Sequence, residues 1–431
     1  MPPRGGHYSL SVVVVALELI LSAAASFRGA AATLAILARH GYLPPLPTTP
    51  TASTLRDWLL RLGCARLSQP LPRDRPWAWL IDHTLQIGAE KLLVIAGCLL
   101  DEVPFGQRPL QLSDLTLIAL VPMSAPDQHR IAAELERASA RTGAPRQIVS
   151  DGAADLRRGI ERFVAKHPRT VAVTDAAHHA ANLLKHYWEQ DPRWQELTRR
   201  MHQAAAALRQ TRAAYLLAPR LRNKARFMSA GVFVRFGGLL LRRLRQPAPP
   251  PEVVQHYGWV SDFAEELTAW QEQQALVRAF LHQIRVEGLF SRGVAELERD
   301  GEQLPVSGHP TTRALRGRLR SYVAQSSRGL RAPERLLGST EVLESAFGVQ
   351  KRLAADQSES GLTALVLALG AVLGKHTPET VRADLEAVPQ KKAESWAKRT
   401  LGKTVQWLRR QFFREGATNE TPPTTAVPIP G

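Results

Sequence analysis

The chain has 431 residues, enough for two or three domains and a sizeable core. Lys and Arg number 56 against 39 Asp and Glu, a formal +17 that points to a polyanionic partner, most simply nucleic acid. A hydrophobic content of 44% excludes a disordered chain, and two cysteines, Cys64 and Cys98, exclude a disulfide-stapled scaffold and lack zinc-ligand spacing.

Residues 9–26 (SLSVVVVALELILSAAAS) have the look of a signal anchor. Glu18 sits in the middle, where a bilayer would penalise a carboxylate, and the apolar run from Leu10 to Leu17 is short for a span. The pattern continues as a second amphipathic helix over 27–40. The expectation is a buried helix of a soluble domain, no membrane, and a cytoplasmic, nucleoid-associated protein. A proline-rich link (43–50) precedes LRDWLLRLGCARL, with Ser53 or Thr54 as the expected N-cap. Arg56, Arg61 and Arg66 on that helix fit a helix-turn-helix-like DNA-binding module over residues 1–72. A plain helical subdomain fits the same pattern.

The texture changes at 76. PWAWLIDHTLQIG and EKLLVIAGCLL read as a hairpin around Gly88, and LTLIALVPM (115–123) as a third strand. A helix over 126–142, a short strand RQIVSDG (146–152), a helix over 155–167, a strand TVAVTDAAHH (170–179) and a helix through ANLLKHYWEQ follow. This order predicts a mixed α/β sheet with helices on its faces.

From about 185 to 335 strand signals vanish. Residues 192–245 hold 13 basic residues and one acid, 246–302 hold four basic residues and ten acids, and 303–335 hold seven basic residues and one acid. The first block is the best phosphate-contact candidate, through Arg220, Arg222, Lys224, Arg226, Arg242 and Arg243, with 313–320 adding to it. A solvated helical face, or pairing with the acidic block, is the alternative. Strong helical periodicity returns over 338–374, then over 379–388 and 390–414, before a Pro/Thr-rich tail (416–431) expected to be disordered.

Three acids stand out. Asp82 interrupts an apolar strand among Trp79, Leu80, Ile81 and Leu85, where an unpaired carboxylate is costly. Asp151 ends a strand, where ligand sites of α/β sheets gather. Glu344 lies one turn into a helix capped by Ser339 or Thr340. Such hard oxygen donors suit Mg²⁺ or Mn²⁺, and two such ions beside basic surfaces carry DNA strand cleavage and transfer. Structural roles fit the same residues: a turn or N-cap at Asp151-Gly152, a macrodipole contact for Glu341, a surface position for Glu344.

Four stretches resemble bacterial insertion-sequence transposases of the DDE type: WLIDHTLQIGAEKLLVIAGC, QIVSDGAADLRRGIERF, VTDAAHHAANLLKHYWEQDPRW and STEVLESAFGVQKR. The resemblance covers roughly 75–190 and 335–375, and more weakly 8–70. It implies a ribonuclease H-like (retroviral integrase-like) mixed sheet, with Asp82, Asp151 and Glu344 as the catalytic, metal-holding acids. The spacing of 193 positions from Asp151 to Glu344 exceeds what an uninterrupted fold needs, so 185–335 is expected to be a large all-helical insertion. The division that follows is 1–72 N-terminal module, 73–184 first part of the catalytic domain, 185–335 insertion, 336–376 the glutamate helix, 377–415 C-terminal helices and 416–431 tail.

The resemblance further implies Lys351 and Arg352 as contacts to element-end DNA, and Asp175 and His178 as an extra ligand or a support behind the ligands. An N-cap role for Asp175 is equally open, and Glu341 is the rival to Glu344. It implies double-stranded DNA ends and target as partners, a homo-oligomer, and the use of two Mg²⁺ or Mn²⁺ ions. A second expectation is a non-catalytic, transposase-derived DNA-binding regulator, which binds DNA without metal dependence.

Overall fold

The computed structural model describes residues 2–4, 6–43, 48–87, 90–124, 126–221, 230–302, 308–355, 362–402 and 405–417. In chain order the elements are α1 (Leu10–Leu21), α2 (Phe27–Arg39), α3 (Ala52–Ser68), β1 (Trp77–Ile87), β2 (Glu90–Leu99), β3 (Thr116–Ser124), α4 (Gln128–Thr142), β4 (Gln147–Ser150), α5 (Ala154–Lys166), β5 (Val171–Thr174) and α6 (Ala176–Glu189). There follow α7 (Pro192–Leu208), α8 (Ala230–Leu244), α9 (Pro251–Tyr257), α10 (Ala264–Val286), β6 (Leu289–Phe290), α11 (Gly293–Glu302), α12 (Pro310–Ser326) and β7 (Arg335–Leu336). The chain closes with α13 (Glu341–Ala355), α14 (Ala368–Val372), α15 (Pro378–Ala387), α16 (Gln390–Leu401) and α17 (Val405–Ala417).

The five-stranded sheet runs β3-β2-β1-β4-β5, with β1, β2 and β3 antiparallel and β4 and β5 parallel to β1. Strand periodicity divides its two faces. Trp77, Trp79 and Ile81 pack with Ile131, Leu135, Ile160 and Phe163 of α4 and α5. Ala78 and Leu80 face the other way, into a core shared with α6 and the helices of 192–326. By the same alternation Asp82 belongs to this second face. Leu85 has a side chain outside the described residues, as are Gly88 and the tail from 418.

The helical stretch between α6 and α13 is closed by a feature that the sequence did not signal. Leu289 and Phe290 pair antiparallel with Leu336 and Arg335. Two residues per strand are too few for an alternation to be read. Trp188, Trp194 and Trp270 lie at the heart of this region, with Trp188 and Trp194 ring centroids 4.6 Å apart.

The first three helices share a core with the end of the chain: Leu55, Leu59 and Leu62 pack with Leu365, Leu367, Val381 and Leu385. The N-cap of α3 is Thr51, whose hydroxyl accepts from Thr54 N at 3.2 Å, so Ser53 and Thr54 lie inside the first turn. Arg61 Nε donates to Val388 O at 2.8 Å, and the buried Arg66 pairs with Asp384 at 3.0 Å. Both guanidinium groups therefore tie α3 to α15 instead of facing a phosphate. α1 buries Val13, Ala16, Leu17 and Ile20 and exposes Glu18. Among the described residues no helix is long and apolar enough to cross a membrane.

The periodicity over 338–374 resolves into α13, a 3₁₀ turn at 364–367 and α14, and the single helix expected over 390–414 is two, broken at Gly402 with φ +60°. α14 is placed by contact of backbone on backbone. A Cβ on Gly63 of α3 would lie 1.7 Å from Leu367 O. Gly63→Ala must push α3 off this seat, and a loss of about 3 kcal/mol is expected. Equilibrium urea unfolding reads it; an unchanged midpoint would show that the helices can separate freely.

Candidate active site

The parallel register sets the site. Ile81 of β1 is level with Ser150 of β4, and Ser150 is level with Thr174 of β5. The next residue along each segment is an aspartate, so Asp82, inside β1, and Asp151 and Asp175, just past the ends of β4 and β5, form one tier across three neighbouring strands. The three then diverge in role.

Asp82 is partly buried and accepts from His83 N at 2.6 Å. Its carboxyl is pushed up to about 7 by burial first, then by the charges of Asp151 and Glu344; the His83 amide and His178 oppose the shift. Asp151 accepts from Ala153 N through Oδ1 at 2.9 Å. This is a turn contact using one of its two oxygens. Gly152 follows with φ +81°, a region that a side chain disfavours, and an added Cβ would meet Thr174 at 3.0 Å.

Asp175 is fully buried and saturated. Oδ1 accepts from His178 N at 2.7 Å, the N-cap contact of α6. Oδ2 accepts from Thr340 N at 2.5 Å, Thr340 Oγ1 at 3.1 Å and Ser339 Oγ at 3.1 Å. It thus holds the start of α13 against the end of β5. A second clamp, at the start of β4, was not foreseen from the sequence. The buried Gln147 donates Nε2 to Leu337 O at 2.5 Å and accepts from Leu337 N at 2.9 Å. A glutamine at the start of an apolar strand was its one signal. Together Gln147 and Asp175 pin segment 337–340 to the sheet, and that segment launches the helix bearing Glu344.

Glu344 Oε1 lies 3.7 Å from His178 Nδ1, and His178 Nδ1 lies 3.2 Å from Asp175 Oδ1. His178 is pushed up to about 9, chiefly by its hydrogen bond to Asp175, with the charges of Asp175, Glu344 and Asp151 adding to it against burial. The Glu344 carboxyl is raised by burial, with Asp175 and Glu341 adding. Glu341, the rival acid, is engaged elsewhere: Arg285 grips it through Nε at 2.6 Å and Nη2 at 2.5 Å, and Ser339 Oγ donates to it at 3.1 Å. Among the described residues no three His, Cys, Asp or Glu side chains are gathered as a ready-made metal-holding group. The charges of Asp151 and Glu344 act on Asp82, but the three acids do not close on a common point.

Behind Asp82, on the α5 side of the sheet, His83 Nδ1 lies 3.8 Å from Asp155 Oδ2, which Lys91 Nζ also reaches at 3.4 Å. The sequence singled out none of these three.

The basic candidates are scattered. Arg220 is exposed after α7, and Arg242 and Arg243 are exposed in the last turn of α8. Arg222, Lys224 and Arg226 lie outside the described residues. Lys351 is exposed on α13, two turns beyond Glu344. Arg352 donates Nη2 to Ile20 O at 2.9 Å, which commits it to the end of α1.

With this geometry in place, comparison with known proteins adds one finding. The Drosophila P element transposase strand transfer complex is similar over 87% of this chain and 94% of that chain, at 11% identity and a TM-score of 0.40. That likeness assigns no family. No family model and no curated protein matches the chain.

The Asp175 clamp makes its own prediction. Asp175→Ala leaves the Thr340 and His178 amides without their acceptor in a dry setting, and a loss of about 3 kcal/mol in urea unfolding is expected. Asp175→Asn keeps one acceptor oxygen and should lose less. Equal stability of all three proteins would remove the clamp from the account.

Proposed function

We propose that this chain is a DDE-type DNA transposase, a metal-dependent polynucleotidyl transferase with a ribonuclease H-like catalytic domain. The carrying observation is that Asp82 and Asp151 stand at one level of the paired β1 and β4, and that Glu344, on the helix that returns to the sheet 193 residues after Asp151, is near enough for its charge to act on Asp82. The antiparallel β1–β3 unit followed by parallel β4 and β5 supports the fold assignment.

The donor set fits hard divalent cations. After burial, the charges of Asp151 and Glu344 raise the proton affinity of Asp82, and a bound cation would relieve that repulsion. Asp82, Asp151 and Glu344 are the residues that would hold Mg²⁺ or Mn²⁺, as two ions. Such ions, when bound, activate an attacking oxygen and stabilise the leaving oxygen of an in-line phosphoryl displacement. The chain's own residues do the rest. Asp175 and Gln147 fix the height of α13 above the strand ends, and His178 steadies Glu344. Arg220, Arg242, Arg243 and Lys351 supply phosphate contacts that carry no sequence information. The reaction assigned is a nick at the element's end, followed by attack of the freed 3′-hydroxyl on target DNA. Joining two ends calls for a homo-oligomer.

A specific observation favours one competing reading. The acids are not gathered into a three-ligand group, as suits a DNA-binding regulator that never cuts. One assay separates the two. Purified chain is incubated with duplex DNA carrying the inverted repeats that flank its gene, in Mg²⁺ and then in EDTA. Cleavage in Mg²⁺ alone supports the transposase; binding equal in both, with no cleavage, supports the regulator.

A further inference from the structure

The exposed Phe and Trp side chains of the described residues all lie on one helix, α17: Trp407 is 40% exposed, Phe412 72% and Phe413 62%. These are large apolar rings that a monomer gains nothing by presenting to water. The two phenylalanines meet edge to face with centroids 5.4 Å apart, and the Arg409 guanidinium lies 5.9 Å from the Phe413 ring. Arg414 is exposed beside them. The neighbouring α16 exposes Lys398 and Arg399. Over 390–415 the sequence holds eight basic residues and two acids.

We infer that α17, with the basic surface of α16, is a platform for single-stranded DNA. Charge complementarity selects the occupant. Phosphates match the cations, and flat unpaired bases match rings that an intact duplex, with its bases already stacked, cannot engage. A second copy offering the same helix would set like charges against like. The inference rests on the DNA-cutting reading, since cutting frees unpaired strand, and it gives a role to residues that this reading leaves without one.

The test uses the full chain in EDTA, so that nothing is cleaved, with fluorescence anisotropy of labelled oligo-dT and of a blunt duplex. Phe412→Ala/Phe413→Ala should weaken oligo-dT binding by about 30-fold and duplex binding by less than about threefold. Arg409→Ala/Arg414→Ala should weaken both. Both rings are mostly in water, so the thermal melt should not move. Unchanged oligo-dT affinity in the Phe variant overturns the proposal, as does wild-type chain that does not bind oligo-dT. So does a Phe variant that instead loses self-association in sedimentation, or flotation with anionic vesicles. Cleavage is followed on the same preparations in Mg²⁺. A wild-type chain that fails to cut yet binds oligo-dT through the two rings loses the catalytic reading alone; one that cuts normally with the Phe pair replaced and oligo-dT affinity intact loses the platform alone.

Discussion

Asp82→Asn is expected to abolish strand cleavage, by about a thousand-fold or more, while raising the stability of the metal-free protein. The two effects have one cause. Burial and the charges of Asp151 and Glu344 hold the Asp82 carboxyl at about 7, above the ordinary 3.8, so its ionised form is a cost to the fold. Asn keeps the shape and a carbonyl for the His83 amide, and removes that cost. The sign gives the pH dependence. The destabilisation by Asp82 is fully present above pH 7, so the gain on substitution is largest there and shrinks as pH falls from about 7 toward 3.8. Asp151→Asn should lose cleavage as completely, with its turn contact to Ala153 preserved, and DNA affinity should stay within about threefold of wild type. A stabilised Asp82→Asn protein that still cuts would refute the catalytic role; a destabilised one would refute the electrostatic account of that carboxyl.

The largest loss of stability is expected at Trp194. The side chain is 1% exposed, and its ring lies 4.6 Å from Trp188, 5.1 Å from Trp270 and 5.9 Å from Phe233, measured between centroids. It joins α7 to α6, α8 and α10. Trp194→Ala empties the middle of this cluster and should cost about 3–5 kcal/mol in urea unfolding. The consequence reaches the acids, because the last turn of α10 carries Arg285, whose grip on Glu341 steadies the first turn of α13. Cleavage should therefore fall at temperatures where wild type is stable. A shift of the midpoint without loss of activity would show that the helical region and the acids are independent.

Much of the sheet was legible because its strands are apolar runs ended by turn residues or acids. The order of three strands, helix, strand, helix, strand, helix is the observed order. Asp82 announced itself as a charge inside such a run, and Asp151 and Asp175 as acids just past one. What sequence could not show was register: that these three aspartates share a tier depends on pairings between strands separated by a helix. Glu344 and Glu341 could not be separated by spacing, since they are one turn apart; Arg285, 56 residues from Glu341, draws Glu341 away. Arg61 and Arg66 fit a helix-turn-helix pattern, and Arg352 a contact to DNA, because a charge carries no sign of its partner; each has a carbonyl or carboxylate waiting more than 300 residues away. The Gln147 clamp was equally invisible, one amide meeting a backbone 190 residues distant.

The central claim is that Asp82, Asp151 and Glu344 hold a divalent cation together. The most direct measurement is electron paramagnetic resonance of free Mn²⁺ during titration into the protein with its end DNA, for wild type and for Asp82→Asn/Asp151→Asn. Wild type is expected to remove Mn²⁺ from solution, and the double variant is not. Equal uptake by the two proteins would contradict it.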